Sequence, residues 1–195
     1  MELAIGTWRI SVRRLPPSPS ELRRLYDTTA WYWDSCLRCI PFGSAYVRLF
    51  KRLATDGWLG GTGETARVLD RGMGTGLFSG ALLWTANRRF EVWGIDLSPK
   101  MLAKARSRLI RRGVTPRLEC GDVRSLPCRE GEMDVVISAL MLEHAPNPLA
   151  ALREMVRVAR PGATLVVVVT RPHAPDVLFR LIYRYQPFQP LQVVE

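Results

Sequence analysis

One stretch constrains the fold more than any other: Val68-Leu69-Asp70-Arg71-Gly72-Met73-Gly74-Thr75-Gly76, followed by an apolar helical run over 77–86. An apolar strand that runs into alternating glycines and then into a helix forms a strand–turn–helix unit. Glycine lets the chain turn sharply there and lets a ligand approach the backbone closely. Downstream, short β-rich runs at residues 66–70, 90–96, 117–120, 133–139 and 164–170 alternate with helical patterns. That rhythm predicts βαβ units and a doubly wound, mostly parallel α/β sheet. The helices have good starts. Ser98-Pro99 and Asn147-Pro148 each place an N-cap before a proline at the first helical position, and Gly113 can end the helix that Pro99 opens. On that helix Leu102, Ala105 and Leu109 share a face, which leaves Lys100, Lys104, Arg108 and Arg111 on a solvated one.

Upstream lies a different kind of sequence. Residues 1–19 read as a basic flexible arm with Arg9, Arg13 and Arg14, and Ser20 is placed to cap a helix from Glu21 onward. Residues 20–56 read as an aromatic helical cover, broken near Pro41-Phe42-Gly43, and residues 66–195 as the α/β domain. With 47% hydrophobic and 24% charged residues the chain has a globular rather than a disordered balance. The first twenty residues hold no apolar run long enough for a signal peptide, and the run 165–169 is far too short to span a bilayer, so a cytoplasmic protein is expected. The net charge of +10 leaves peripheral contact with a membrane surface open. Cys36-x-x-Cys39 has half of a zinc-site spacing, but Cys120 and Cys128 form no second close pair, so reduced thiols and no metal are expected.

Two carboxylates stand where chemistry is expected. Asp96 closes the second run, in Gly94-Ile95-Asp96-Leu97-Ser98, where it can accept from both hydroxyls of a ribose or help cap the next helix. Asp122, in Cys120-Gly121-Asp122-Val123 after the third run, can accept from an exocyclic amine such as that of adenine or simply serve a turn. Met133-Asp134-Val135-Val136-Ile137-Ser138 leads to Leu142-Glu143-His144, and Arg160-Pro161-Gly162-Ala163 leads into the valine run.

In this order these five segments resemble the class I (Rossmann-like) S-adenosylmethionine-dependent methyltransferases, in particular the type 11, ubiquinone/menaquinone-methylase-like branch. The resemblance covers about residues 26–171. It implies a sheet of order 3-2-1-4-5 and S-adenosylmethionine as cofactor. It implies that Asp70, Gly72, Gly74, Thr75 and Gly76 hold the methionine end of the donor. Asp96 would take the ribose and Asp122 the adenine, with Leu97, Met101, Val123 and Ala139 beside them. Met73 departs from the small residue common in that loop. A nicotinamide enzyme is disfavoured, because its fingerprint is G-x-G-x-x-G while position 77 here is Leu. Nucleic acid is not the expected substrate. After the fourth run the chain reads Ser138-Ala139-Leu140-Met141, not the Asn/Asp-Pro-Pro-aromatic motif of base amine methylases nor the Pro-Cys of cytosine-C5 enzymes.

The resemblance further implies that the aromatic cover lines an acceptor pocket, with Tyr26, Trp31, Trp33 and Arg171 as candidates, and that the acceptor is a small or lipid-like molecule methylated by in-line displacement. His144 is the candidate catalytic base, since an imidazole titrates in the useful range, and His173 is a weaker one. Only residues 171–195 follow the valine run, room for a helix near 176–185 and a short element at 191–195 but hardly for the antiparallel pair that ends the family's sheet. A donor-binding but catalytically weak, regulatory or truncated methyltransferase-like protein is therefore the alternative. Self-association through an exposed fifth strand is the matching expectation for partners.

Overall fold

The apolar runs pair as their periodicity requires. In the computed structural model the described residues are 2–5, 8–11, 18–38, 42–59, 64–85, 88–123, 126, 128–145 and 147–169. Strands β3 (Thr65–Arg71), β4 (Arg89–Asp96), β5 (Arg117–Cys120), β6 (Met133–Ala139) and β7 (Ala159–Val168) form one sheet of order β5-β4-β3-β6-β7, every neighbouring pair parallel. Counted within the sheet, that is the expected 3-2-1-4-5. The central strand β3 is buried almost without interruption after Arg67, as a strand covered on both faces must be.

Helices cover both faces. Phe78, Leu82, Ala105 and Leu109, from α3 (Leu77–Thr85) and α4 (Pro99–Ile110), pack with Tyr46 and Phe50 of α2 (Phe42–Thr55) in one core cluster. Met155 and Val158 of α5 (Pro148–Val158) pack against Leu69, Ile95 and Val136 in the other. Both sequence caps are present. Ser98 Oγ accepts from Met101 N at 3.1 Å, and Asn147 Oδ1 accepts from Ala150 N at 3.0 Å.

Three differences have local causes. The first cover helix, α1 (Pro19–Arg38), starts earlier than expected, because Ser18 rather than Ser20 caps it. Ser18 Oγ accepts from Glu21 N while Ser18 N donates to Glu21 Oε2 at 2.7 Å, a capping box with proline at the first helical position. Strand β7 begins at Ala159, before 164, and its ladder skips from Met133↔Ala159 to Val135↔Thr164. Pro161 cannot donate to the ladder and Gly162 has φ +77°, so the chain bulges there and then resumes pairing. The arm expected to lack structure instead contains an antiparallel pair, β1 (Glu2–Ile5) with β2 (Trp8–Ser11), with Gly6-Thr7 between them in the sequence. A two-residue connection with glycine first is a hairpin signal.

Strand β7 is an edge of the sheet among the described residues, with Leu165, Val167 and Val169 partly exposed. The expected elements at 176–185 and 191–195, together with His173, lie outside the described residues, as do Cys39 and the side chain of Cys36. Among the described residues no helix is long and apolar enough to cross a membrane, and no group of His, Cys, Asp and Glu has metal-site geometry.

Candidate active site

The C-terminal ends of β3, β4 and β6 open onto one cavity of about 180 Å³, where an open α/β sheet binds its ligands. The glycine loop forms its floor. Gly72 N and Met73 N both donate to Ile95 O, at 2.9 and 3.1 Å, which ties the loop to β4. Gly72 (φ +70°) and Gly76 (φ +70°) need to be glycine for two reasons. Their backbone is left-handed, and a Cβ would meet Met141 Cγ at 2.5 Å or Ala105 Cβ at 3.1 Å. Gly74, by contrast, has open space where a Cβ would stand.

Of the expected donor residues, Asp70, Gly72, Gly74, Thr75, Asp96, Leu97, Met101, Asp122, Val123 and Ala139 all border this cavity. Gly76 does not, and packs the loop against α4 instead. Asp96 holds two segments at once. Its Oδ2 accepts from Gly74 N and its Oδ1 from Ser98 N, each at 2.8 Å. Burial raises its pKa, and these two bonds oppose that shift. Asp70, accepting from Ser79 Oγ at 2.5 Å, is pushed up to about 6, first by burial and then by the neighbouring charge of Asp96.

On the cover side, Tyr26 and Trp33 line the cavity with Leu22, as residues spaced along one face of α1. Trp31 is on the opposite face, 77% exposed, and does not reach the cavity. Arg171 lies outside the described residues. His144 does reach the cavity, where its Nε2 sits 3.1 Å from Tyr26 Oη. Burial alone pulls the imidazole down to about 4, so it stays neutral at ordinary pH.

Sequence reasoning missed several parts. Asp34 of α1 latches the cover to the loop, accepting from Thr75 Oγ1 at 2.7 Å and Arg108 Nη2 at 2.8 Å. Asp27 Oδ1 adds a bond from Ser98 Oγ at 2.6 Å. Leu140, a non-glycine residue at φ 54°, borders the cavity beside Met141, so backbone strain sits at the site. Arg71 is fully buried just behind the glycine loop. No local pattern announces these contacts, apart from the capping box and the helical phase of Leu22, Tyr26 and Trp33.

The two titrations act on stability in opposite directions. Between about pH 4 and 6 the folded chain holds a proton on Asp70 that the unfolded chain has lost, so stability falls as pH rises through that window. Between 6.5 and about 4 the unfolded chain gains a proton on His144 that the folded chain refuses, so stability falls as pH drops. A cation bound beside Asp70 offsets the first effect above pH 6. S-adenosylhomocysteine, which carries an ammonium, is accordingly expected to raise the melting temperature more at about pH 7.5 than at about pH 5, with at most about 3 kcal/mol separating the two. Equal stabilisation at both pH values would separate Asp70 from the ligand's charge.

Residues 69–167 match the sequence family described as "Methyltransferase domain" (Methyltransf_11). A Mycobacterium tuberculosis protein is 37% identical over 108 residues, which is 55% of this chain and 38% of the relative. The ubiquinone/menaquinone biosynthesis C-methyltransferase UbiE of Burkholderia vietnamiensis is 41% identical over 103 residues, 52% of this chain and 42% of that protein. The chain thus spans about two fifths of the length of these curated relatives, 38% and 42%. Among solved structures, a SAM-dependent methyltransferase from Aquifex aeolicus shares the fold with a TM-score of 0.52 at 21% identity, over 86% of each chain. The [4+2]-cyclase SpnF shares it with a TM-score of 0.63 at 24% identity, over 77% of this chain and 60% of that one. The matched segment carries the glycine loop and all three cavity carboxylates, and the chain belongs to the type 11 methyltransferase domain family, within the class I group that uses S-adenosylmethionine.

Proposed function

We propose that this chain transfers a methyl group from S-adenosylmethionine to a small, largely apolar or lipid-like acceptor. The observation that carries the reading is a single cavity bordered by Asp70, Asp96 and Asp122 on one side and by the Tyr26–His144 pair on the other. The residues fit the donor. Asp70 answers an ammonium, Asp96 a pair of hydroxyls and Asp122 an exocyclic amine, while the open space at Gly74 leaves room for the ligand against the loop backbone.

When bound, the donor supplies a sulfonium methyl that is electrophilic without further activation. The chain's own task is alignment, because holding the acceptor in line with that methyl converts an encounter into an intramolecular step. Leu22, Trp33 and Met141 supply apolar walls for the acceptor and exclude water. His144 is neutral, so its Nε2 can accept a hydrogen bond from Tyr26 Oη, or from an acceptor group that displaces it and turns acidic as the methyl arrives. Apolar walls with one polar pair support an apolar acceptor carrying an ionisable group.

His144→Ala is expected to lower kcat by about 10²-fold while leaving donor affinity unchanged. With the donor saturating, so that protonation of Asp70 near 6 does not limit binding, the wild-type rate should persist on acidification until close to the His144 value of about 4, instead of falling near 6.5. The direct test is transfer of labelled methyl from the donor into lipid and polar fractions of a cell extract. Label in a lipid fraction supports the reading. Tight donor binding without transfer to any fraction favours the alternative, a donor-binding protein that is catalytically weak, regulatory or a partial methyltransferase domain. Full activity in His144→Ala would assign that residue to structure.

A further inference from the structure

The chain from Ser98 to Leu118 carries Lys100, Lys104, Arg106, Arg108, Arg111, Arg112 and Arg117 without a single carboxylate. On and just beyond α4, Lys104, Arg108, Arg111 and Arg112 recur at helical spacing and so share one side. Both ends of this strip meet an exposed indole. Lys104 Nζ donates to Trp31 O at 3.1 Å, and the Trp31 side chain, on the outer side of α1, is 77% exposed. At the other end the Arg112 guanidinium lies 4.8 Å above the ring of Trp84, which is 67% exposed. Leu83, Trp84, Arg108, Arg111 and Arg112 line a shallow groove there.

Arg108 is neutralised by Asp34, but among the described residues Arg106, Arg111 and Arg112 have no carboxylate partner. The sequence suggests only a solvated charged face. Two indoles flanking an acid-free cationic strip are a different matter, because exposed tryptophan is excluded from soluble surfaces more strongly than charge is.

We infer that the Trp31–Lys104–Arg111–Arg112–Trp84 strip docks the protein on an anionic phospholipid surface. The charge is complementary to acidic headgroups, and indole rings settle at the headgroup level with their apolar body toward the acyl chains. Nucleic acid would need open aromatic faces for base stacking. Here the Trp84 face is taken by Arg112, and Tyr32 stands edge-on to Trp31 with centroids 4.9 Å apart. The strip also adjoins the cover helix α1, whose inner side lines the cavity, so a docked bilayer lies behind that cover. The inference stands whether or not the acceptor is lipid-like.

The test is co-sedimentation of the full chain with vesicles of phosphatidylglycerol and phosphatidylcholine, against pure phosphatidylcholine. Binding is expected only with the anionic lipid and is lost at high salt. Arg111→Glu with Arg112→Glu should lower the partition constant about tenfold or more, with the melting temperature and donor affinity unchanged. Trp84→Ser should weaken binding without changing its salt dependence. The control, Arg129→Glu with Arg153→Glu, changes the net charge equally on exposed positions away from the strip, Arg153 being on α5 across the sheet, and should retain binding. Failure to bind anionic vesicles, an equal loss in the control pair, or binding to a mixed-sequence DNA duplex in preference to vesicles would each overturn the proposal.

Discussion

Asp96→Ala is expected to weaken S-adenosylhomocysteine binding by about 10²–10³-fold, the largest effect of any single change in the site. Two losses add. The ligand's ribose loses a charge-assisted acceptor, worth about 1.5–3 kcal/mol. The protein loses the carboxylate that holds Gly74 N and Ser98 N at 2.8 Å, and with it the shape of the glycine loop and the start of α4. Most of that second loss lowers the stability of the fold, and the part that misshapes the ligand site weakens binding by about 1 kcal/mol more. Asp96→Asn separates the two. Its amide oxygen can keep one backbone bond, but its NH₂ cannot accept the other, so an intermediate loss of about tenfold is expected. Calorimetric titration reads the affinity, and thermal melting confirms the fold of each variant. An Asp96→Ala protein that binds within about threefold of wild type would remove Asp96 from the ligand site.

Asp96 was legible because its signal is local: an apolar run, a terminal carboxylate, then a cap and a proline. The same holds for the glycine loop and for the five sheet strands, whose predicted runs pair over nearly their whole lengths. What was not legible depends on contacts between distant segments. Asp34 meets Arg108 and Thr75 only after α1 has packed on α4, and nothing around Asp34 in the sequence distinguishes it from a solvated helix residue. Trp31 and Trp33 look equivalent in a list of aromatics, yet two positions along a helix is a rotation of about 200°, so one faces the cavity and the other solvent. Helical phase could have made that distinction. The early start of β7 hid behind Pro161 and Gly162, residues that read as the end of pairing but here mark a bulge within it.

Arg71 is the part of the site that sequence reasoning passed over, and its removal is expected to have the largest effect on stability. It is fully buried at the end of β3. Its Nε donates to Val123 O at 2.8 Å and its Nη1 to Ala151 O at 2.9 Å, so one side chain ties the loop after β5 to the first turn of α5. Burial lowers its pKa to about 10, opposed by Glu154 and Asp122, and the group is still a cation at neutral pH. Arg71→Ala removes both guanidinium bonds, taking the side-chain donor from Val123 O while Ala151 O keeps its place in the α5 ladder, and opens a void, at a cost of about 3–5 kcal/mol. Arg71→Met fills the void and removes the desolvated charge, so about 1–3 kcal/mol is expected, from the two lost hydrogen bonds alone. Urea unfolding should therefore order the midpoints wild type, then Met, then Ala, with the slope unchanged. Because Val123 adjoins Asp122, the Met variant should also bind S-adenosylhomocysteine more weakly than wild type even where it is fully folded. A Met variant with wild-type stability and wild-type affinity would show that the guanidinium braces neither the loop nor the helix.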